Sequence, residues 1–237
     1  MRKARNWLIV PAGGVGRRFS LKLPKQFFPL GQSTVAQNCL SRLLKVPEIE
    51  RLIVPCKIQE KWWSSVPAIT NDRVKLVEGG LDRAESVLNG LLALADDAIF
   101  SDWVLVHDIV RPCVSLRSIM KLRESVQRHA IGGILVSPIN DTLKLITEHG
   151  QIKRTIERRH CRLAQTPQMF RYGELLEAME HAFKNHEALT DESSALERLG
   201  KEVKVVEGRA DNIKITCPED LIFANVILKE QEKCECE

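Results

Sequence analysis

A chain of 237 residues that is 44% hydrophobic and 28% charged holds enough apolar material for one large domain under an ordinary polar surface. Its formal net charge of +4, from 35 Lys and Arg against 31 Asp and Glu, is too slight to argue for a nucleic-acid partner, and no basic patch interleaved with aromatics supports one. The apolar runs fall far short of the roughly 18 residues of a membrane span, and the seven cysteines are odd in number without a C-x-x-C pair, which argues against zinc or disulfide frameworks and fits reduced thiols in a cytoplasm.

The basic start leads into "WLIVP" (7–11), too short an apolar stretch for a signal peptide and read as a first strand. "PAGGVGRRF" (11–19) follows. A dinucleotide fingerprint fails here, because Gly14 and Gly16 supply two glycines but Phe19 holds the third position, and the second strand ends "LIVPC" with no carboxylate for a ribose. The P-loop pattern is absent as well. What remains is a turn poor in side chains, able to aim backbone N–H groups at phosphate oxygens, followed by Arg17, Arg18 and, in "LPKQF", Lys25. Seen alone, it fits a phosphate nest and an ordinary strand-to-helix turn equally.

Next, "STVAQNCLSRLLKV" (33–46) repeats Val35, Cys39, Leu43 and Val46 at helical spacing behind a Ser33/Thr34 cap signal. Strand-like "RLIVP" (51–55) and "VKLVEGG" (74–80) precede a helix in "DRAESVLNGLLALADD" (82–97), whose apolar face is Ala84, Val87, Leu88, Leu91 and Leu92. "WVLVHD" (103–108), the helical "SLRSIMKLRESVQRH" (115–129) and "GGILVSP" (132–138) continue the alternation. The strand-like runs are near-continuously apolar, as strands buried on both faces are. From Asn140 to Gln165 the chain turns polar and basic, with a hairpin expected around His149-Gly150. A helix in "RYGELLEAMEHAFKNH" (171–186) and a strand in "VKVVEG" (203–208) follow, and the terminal "CEC" reads as a frayed tail. Alternating strands and helices predict a mainly parallel sheet covered on both faces. The expectation is a single domain, 1–237, with 139–162 as an arm too small to fold alone.

The motifs "PAGGVGRRF", "LPKQF", "GGLDRAESVLNGL", "VLVHDIVRPCV", "DTLK", "AQTPQMF", "TDESSALE" and "GRADNIKITCPEDL", in this order from Leu8 to Leu221, resemble nucleotidyltransferases with a Rossmann-like α/β core. As a set they most closely resemble the 2-C-methyl-D-erythritol 4-phosphate cytidylyltransferase family of the non-mevalonate isoprenoid pathway. The resemblance implies transfer of the cytidylyl group of CTP to that polyol phosphate, releasing pyrophosphate, in a homodimer whose arm completes the partner's site. Ribitol-5-phosphate cytidylyltransferases are the nearest rival, and a non-catalytic nucleotide-binding protein is a remote one.

The resemblance also assigns roles. Ala12, Gly13, Gly14 and Gly16 would admit the nucleotide against bare backbone, while Arg18, Lys25 and Lys214 would neutralise the triphosphate and the charge developing at the α-phosphorus. Without it, Lys214 reads as a strand-edge lysine. Gly80, Leu81, Arg83 and Ser86 would recognise cytosine and ribose, with Asp82 read as a helix cap. Asp108 would contact ribose, polyol hydroxyls or Mg²⁺, the expected cofactor, which prefers phosphate oxygens and few carboxylates. An Asp108–Arg111 ion pair is an equal reading, and His107 reads as structural. The polyol phosphate would meet Arg111, Thr142, Arg158, Thr166, Thr190 and Asp191, the last two also capping a helix. Three departures stand out from the family pattern: Gly13 for a second alanine, Ile109-Val110 for two alanines, and Glu157-Arg158-Arg159, which leaves Arg158 or Arg159 as the phosphate ligand.

Overall fold

The computed structural model describes residues 2–13 and 23–235, the last two by backbone alone. Gly14, Gly16 and Arg18 lie outside the described residues.

The chain begins with β1 (Asn6–Ile9), a small hairpin of β2 (Pro29–Leu30) and β3 (Ser33–Thr34), and α1 (Val35–Leu44). Thr34 caps α1 by accepting from the Gln37 N–H, as the Ser/Thr signal leads one to expect. Then come β4 (Ile49–Cys56), β5 (Val74–Glu78), α2 (Arg83–Leu92), β6 (Trp103–Val106), α3 (Leu116–Val126) and β7 (Gly132–Pro138). A separate hairpin of β8 (Leu143–Ile146) and β9 (Ile152–Ile156) leads to β10 (Arg162–Arg171), α4 (Tyr172–Lys184), α5 (Glu192–Arg198), β11 (Lys204–Glu207) and α6 (Glu219–Glu235).

Seven strands form one sheet in the order β11-β7-β10-β6-β1-β4-β5. Every neighbouring pair is parallel except those made by β10, which runs antiparallel to both β6 and β7. The central strands alternate between two cores. On β1, Leu8 faces the core under α1, α3 and α6, and Trp7 and Ile9 face the one under α2, α4 and α5. Leu105 and its neighbours Val104 and Val106 divide β6 in the same way. Burial on both faces is what the continuous apolar runs encode.

Two of those runs behave otherwise. β5 and β11 are the sheet's outer strands, and Val205 is 59% exposed. On β11 only Val206 reaches a core, whereas Val74 and Val77 of β5 are half-buried against the two cores at the sheet's edge. On α2, Leu92 is 47% exposed because the helix ends there, and Leu94, fully buried, takes the interior place. β10 is an additional strand beyond those the apolar runs suggest. Its register shifts between Ala164 and Gln168, around a cis Thr166-Pro167 bond, where a proline cannot donate to a ladder. At the other end of the chain the helical backbone of α6 reaches the first cysteine of "CEC", where a frayed tail is the sequence reading.

Candidate active site

The chain steps outward from β1 to β4 and β5, then returns to the other side of β1 with β6. Strand order therefore reverses between β1 and β6, and a crevice opens beyond their carboxyl ends. The loop Pro11–Gly13 leaves β1 there, Gly80–Asp82 leaves β5, and Asp108–Arg111 leaves β6. The segment after β11 brings Asn212 and Lys214, and β10, being antiparallel, contributes Thr166 from its first half.

Two adjoining cavities occupy this edge. The first, about 310 Å³, is lined by Ala12, Gly13, Lys25, Leu81, Arg83, Ser86, Asp108, Ile109, Val110 and Lys214, among others. The second, about 250 Å³, is lined by Arg111, Gln165, Thr166, Gln168, Thr190 and Asp191 together with Arg83, Asp108 and Lys214. The last three residues wall both cavities.

Local chemistry fixes each wall. The Gln26 amide donates to the Ala12 carbonyl at 2.9 Å, tying the short helical turn that begins at Lys25 to the loop after β1. Ser86, buried in the first turns of α2, accepts from the Gly80 N–H at 3.0 Å and donates to the Asp82 carbonyl at 2.7 Å. The Asp82 side chain caps α2 through the Glu85 N–H. Gly80 is sterically required, since a β-carbon there would overlap the Glu85 side chain. At Gly13 the methyl of an alanine would sit 3.4 Å from Ser86 Oγ, in ordinary contact, so the departure from the family pattern only removes one methyl from the cleft. Ile109 and Val110 line the first cavity while remaining at least 95% buried, so their extra carbons go mainly into the core. Leu81, by contrast, is 99% exposed at the rim.

Asp108 is the centre of the arrangement. Arg83 Nε donates to its Oδ1 at 2.7 Å, Lys214 Nζ lies 2.9 Å from Oδ2, and Arg111 Nε lies 3.4 Å from Oδ2. Burial by itself would raise this carboxyl, but the charges of Arg83, Lys214 and Arg111 outweigh it and hold the group well below the usual carboxylate range. Arg83 also makes two bonds to Glu192, at 2.6 and 3.1 Å. Burial opposes its charge, yet Glu192 and Asp108 keep it more firmly protonated than an ordinary arginine. Arg111 donates to the Asn212 carbonyl at 2.7 Å, and burial pulls it below its ordinary value. Asp108 and Arg111 thus form the ion pair that is the second reading, and the pair lines the second cavity.

A fixed relay lies behind Asp108. Its N–H donates to Thr166 Oγ1 at 3.0 Å, and the same hydroxyl lies 3.0 Å from His107 Nδ1. His107 Nε2 lies 3.1 Å from the Arg111 carbonyl, which can only accept. Nε2 therefore carries the proton, Nδ1 accepts from Thr166, and the imidazole is neutral. Burial drives His107 down to about 4, as suits a structural group rather than a proton carrier. The Thr166 hydroxyl is accordingly engaged within the protein, and its residue lines the second cavity from a buried position.

Asp191 caps α5, accepting from the Ser194 N–H at 3.0 Å and from the Gln168 amide at 2.8 Å. Gln168, itself buried, accepts in turn from the Ser193 N–H. Neither Gln168 nor Glu192 is singled out by the sequence reading, although both sit inside quoted motifs. Their signal is a polar side chain in a stretch whose neighbours are core.

Thr142 and Arg158 are not brought to either cavity. They stand exposed at the base of the β8–β9 hairpin, Arg158 donating to the Asn140 carbonyl and Arg159 pairing with Glu157 at 2.7 Å. As for a metal, the cleft carboxylates are committed. Asp108 already faces three cations, Glu192 faces Arg83, and Asp82 and Asp191 serve helix caps. A divalent ion there would have to rely on phosphate oxygens and water, since a direct Asp108 bond to it would require displacing a cation.

The chain from 7 to 230 matches the family described as IspD, 2-C-methyl-D-erythritol 4-phosphate cytidylyltransferase. A protein of that name from Hahella chejuensis is 40% identical over 97% of this chain and 95% of its own length. Another, from Pseudomonas aeruginosa strain UCBPP-PA14, is 42% identical over 91% of this chain and 93% of its own length. The crystal structure of the Francisella tularensis enzyme of that name superimposes with a TM-score of 0.83 at 35% identity, covering 94% of this chain and all of that one. These relatives are named for methylerythritol phosphate, not ribitol phosphate.

Proposed function

The chain belongs to the 2-C-methyl-D-erythritol 4-phosphate cytidylyltransferase family and transfers the cytidylyl group of CTP to that acceptor in isoprenoid biosynthesis, and we propose that the reaction runs across the wall shared by the two cavities. CTP occupies the first cavity, with its base and ribose against Gly80, Leu81, Arg83 and Ser86 and its triphosphate over Ala12, Gly13 and Lys25. The polyol phosphate occupies the second, against Arg111, Thr166, Thr190 and Asp191. The triphosphate roles that the sequence resemblance assigns to Gly14, Gly16 and Arg18 fall outside the described residues.

The acceptor's phosphate oxygen attacks the α-phosphorus of CTP in line. A P–O bond forms to it, the α–β bridge bond breaks, and pyrophosphate departs with the electron pair. A phosphate monoester is already an anion near neutral pH, so no general base is needed, which agrees with the neutral, buried His107. The barrier is electrostatic, because two polyanions must meet and charge builds on the transferring group. Preorganised cations lower such a barrier. Lys214 leaves its 2.9 Å pairing with Asp108 for the phosphate oxygens, and Asp108 keeps Arg83 and Arg111 in place. When Mg²⁺ is bound, the CTP phosphates rather than the committed cleft carboxylates would hold it, and it would supply charge neutralisation there.

The observation that carries this reading is the wall of Arg83, Asp108 and Lys214 common to both cavities. Lys214→Ala is expected to lower kcat for pyrophosphate release about 10²–10³-fold, the scale of about 3–4 kcal/mol typical of one lost transition-state donor. Turnover within threefold of the unaltered enzyme would overturn it.

Thr142 and Arg158 stand outside the cleft of their own chain, and this supports a homodimer in which the hairpin of one subunit closes the second cavity of the other. Arg158→Ala and Lys214→Ala enzymes, each strongly impaired alone, should regain part of the activity when mixed and allowed to exchange subunits. No recovery despite exchange would exclude the shared site. Among the described residues Cys39, Cys56 and Cys113 are buried free thiols, which supports a cytoplasmic setting.

A further inference from the structure

Glu192 lines neither cavity and is 1% exposed, yet its carboxylate takes two of the three hydrogen bonds that Arg83 makes. Arg83 is the first residue of α2 and Glu192 the first of α5. The loop before α2 walls the nucleotide cavity, and Thr190 and Asp191 before α5 wall the acceptor cavity. A buried ion pair is a poor way to gain stability, since well-packed apolar residues of like volume do as well or better. What it supplies is a direction. Of the five N–H donors of a guanidinium, three are spent on Glu192 and Asp108, which fixes the plane of a side chain that lines both cavities.

We propose that Glu192 is a positioning residue whose carboxylate, forked on Arg83, ties the start of α5 to the start of α2 and so sets the distance between the acceptor and nucleotide halves of the cleft. The inference rests on the two-cavity reading above. Glu192 touches no substrate in this account and acts only through Arg83. Cutting the tie leaves Arg83 held by Asp108 and leaves Ala12, Gly13, Lys25 and Ser86 untouched, so the nucleotide half stays in place. It lets α5 and the acceptor half relax away from the α-phosphorus. The loss therefore falls on turnover and spares CTP binding.

The test is a double-mutant cycle in the full-length enzyme with Glu192→Gln, Arg83→Gln and both together. CTP affinity is read by calorimetry, and kcat by pyrophosphate release with both substrates. Glu192→Gln is expected to lower kcat tenfold or more while the Kd for CTP stays within threefold. In the Arg83→Gln background it should change kcat less than twofold. Losses that multiply in the double variant, an unchanged kcat, or equal damage to CTP affinity and kcat would overturn the proposal. If Glu192→Gln does not fold, Glu192→Asp, which retracts the charge by one methylene, is put through the same cycle with the same criteria. Lys214→Ala, run alongside, separates the two readings. Full activity there sinks the cleft assignment itself, whereas loss there with a multiplicative Glu192 cycle sinks only the tie.

Discussion

Two buried aspartates flank β6, and they are held in opposite ways. Asp102, at the amino end, accepts from the Arg5 N–H at 2.9 Å, the Ile99 N–H at 3.1 Å and the Trp7 indole at 3.1 Å, with Arg2 at 2.7 Å. Burial would raise this carboxyl, but those donors hold it below its usual range. Asp108, at the carboxyl end, has its carboxylate held, among the described residues, by the side-chain cations Arg83, Arg111 and Lys214. Backbone and indole donors have nowhere else to go, so Asp102 is a knot. Side-chain cations can exchange one anion for another, so in the proposed reaction the bonds around Asp108 open to phosphates. The same residue type at the two ends of one strand would then serve stability at one end and chemistry at the other.

Removing the knot is the largest test of this contrast. Asp102→Ala strands the buried Trp7 indole N–H, two part-buried backbone N–H groups and the Arg2 charge, and should cost about 3–5 kcal/mol of folding free energy, measured by denaturant unfolding, with kcat per folded molecule unchanged. A loss of activity beyond the unfolded fraction would break the contrast.

The pH dependence comes next. A histidine whose folded value is depressed to about 4 stays neutral while the unfolded chain, near the ordinary 6.5, takes up a proton. Stability is therefore full above about pH 6.5 and falls as pH drops toward 4, by about 3 kcal/mol at most on the linkage scale. Both aspartates have depressed values, so their contribution is present above the ordinary carboxylate range and is lost only at lower pH. Urea midpoints between pH 7 and 4.5 should slope downward in the unaltered chain and be flatter in His107→Gln. An equal slope in both would show that His107 is not the group concerned.

Asp108→Asn sharpens the comparison from the other side. Three cations lose their organising anion, so kcat should drop about 30-fold, or about 2 kcal/mol, while pyrophosphate binds more tightly to the more positive cleft. Product-inhibition constants read the second effect, and weaker pyrophosphate binding would contradict it.

The smallest effect belongs to Arg2→Ala. Arg2 is partly exposed and is one of several donors to Asp102, so its loss should cost less than about 1 kcal/mol. A shift in melting temperature as large as that of Asp102→Ala would make Arg2, rather than the backbone, the core of the knot.

The sequence by itself determines the interior strands, the caps of α1 and α2, the hairpin around His149-Gly150 and the ordered motifs that carry the family likeness. These depend on near neighbours, through apolar periodicity, a capping oxygen three residues from its N–H, and turn chemistry. Only the tertiary structure decides that β5 and β11 lie at the edges, that β10 runs antiparallel, and that Arg83 meets Glu192 across 109 positions and Arg111 meets Asn212 across 101. Strand order sets those meetings, and strand order follows from burying two sheet faces at once. No local window contains that condition, which is why Lys214 alone reads as an edge lysine and, once the sheet is ordered, lies 2.9 Å from Asp108.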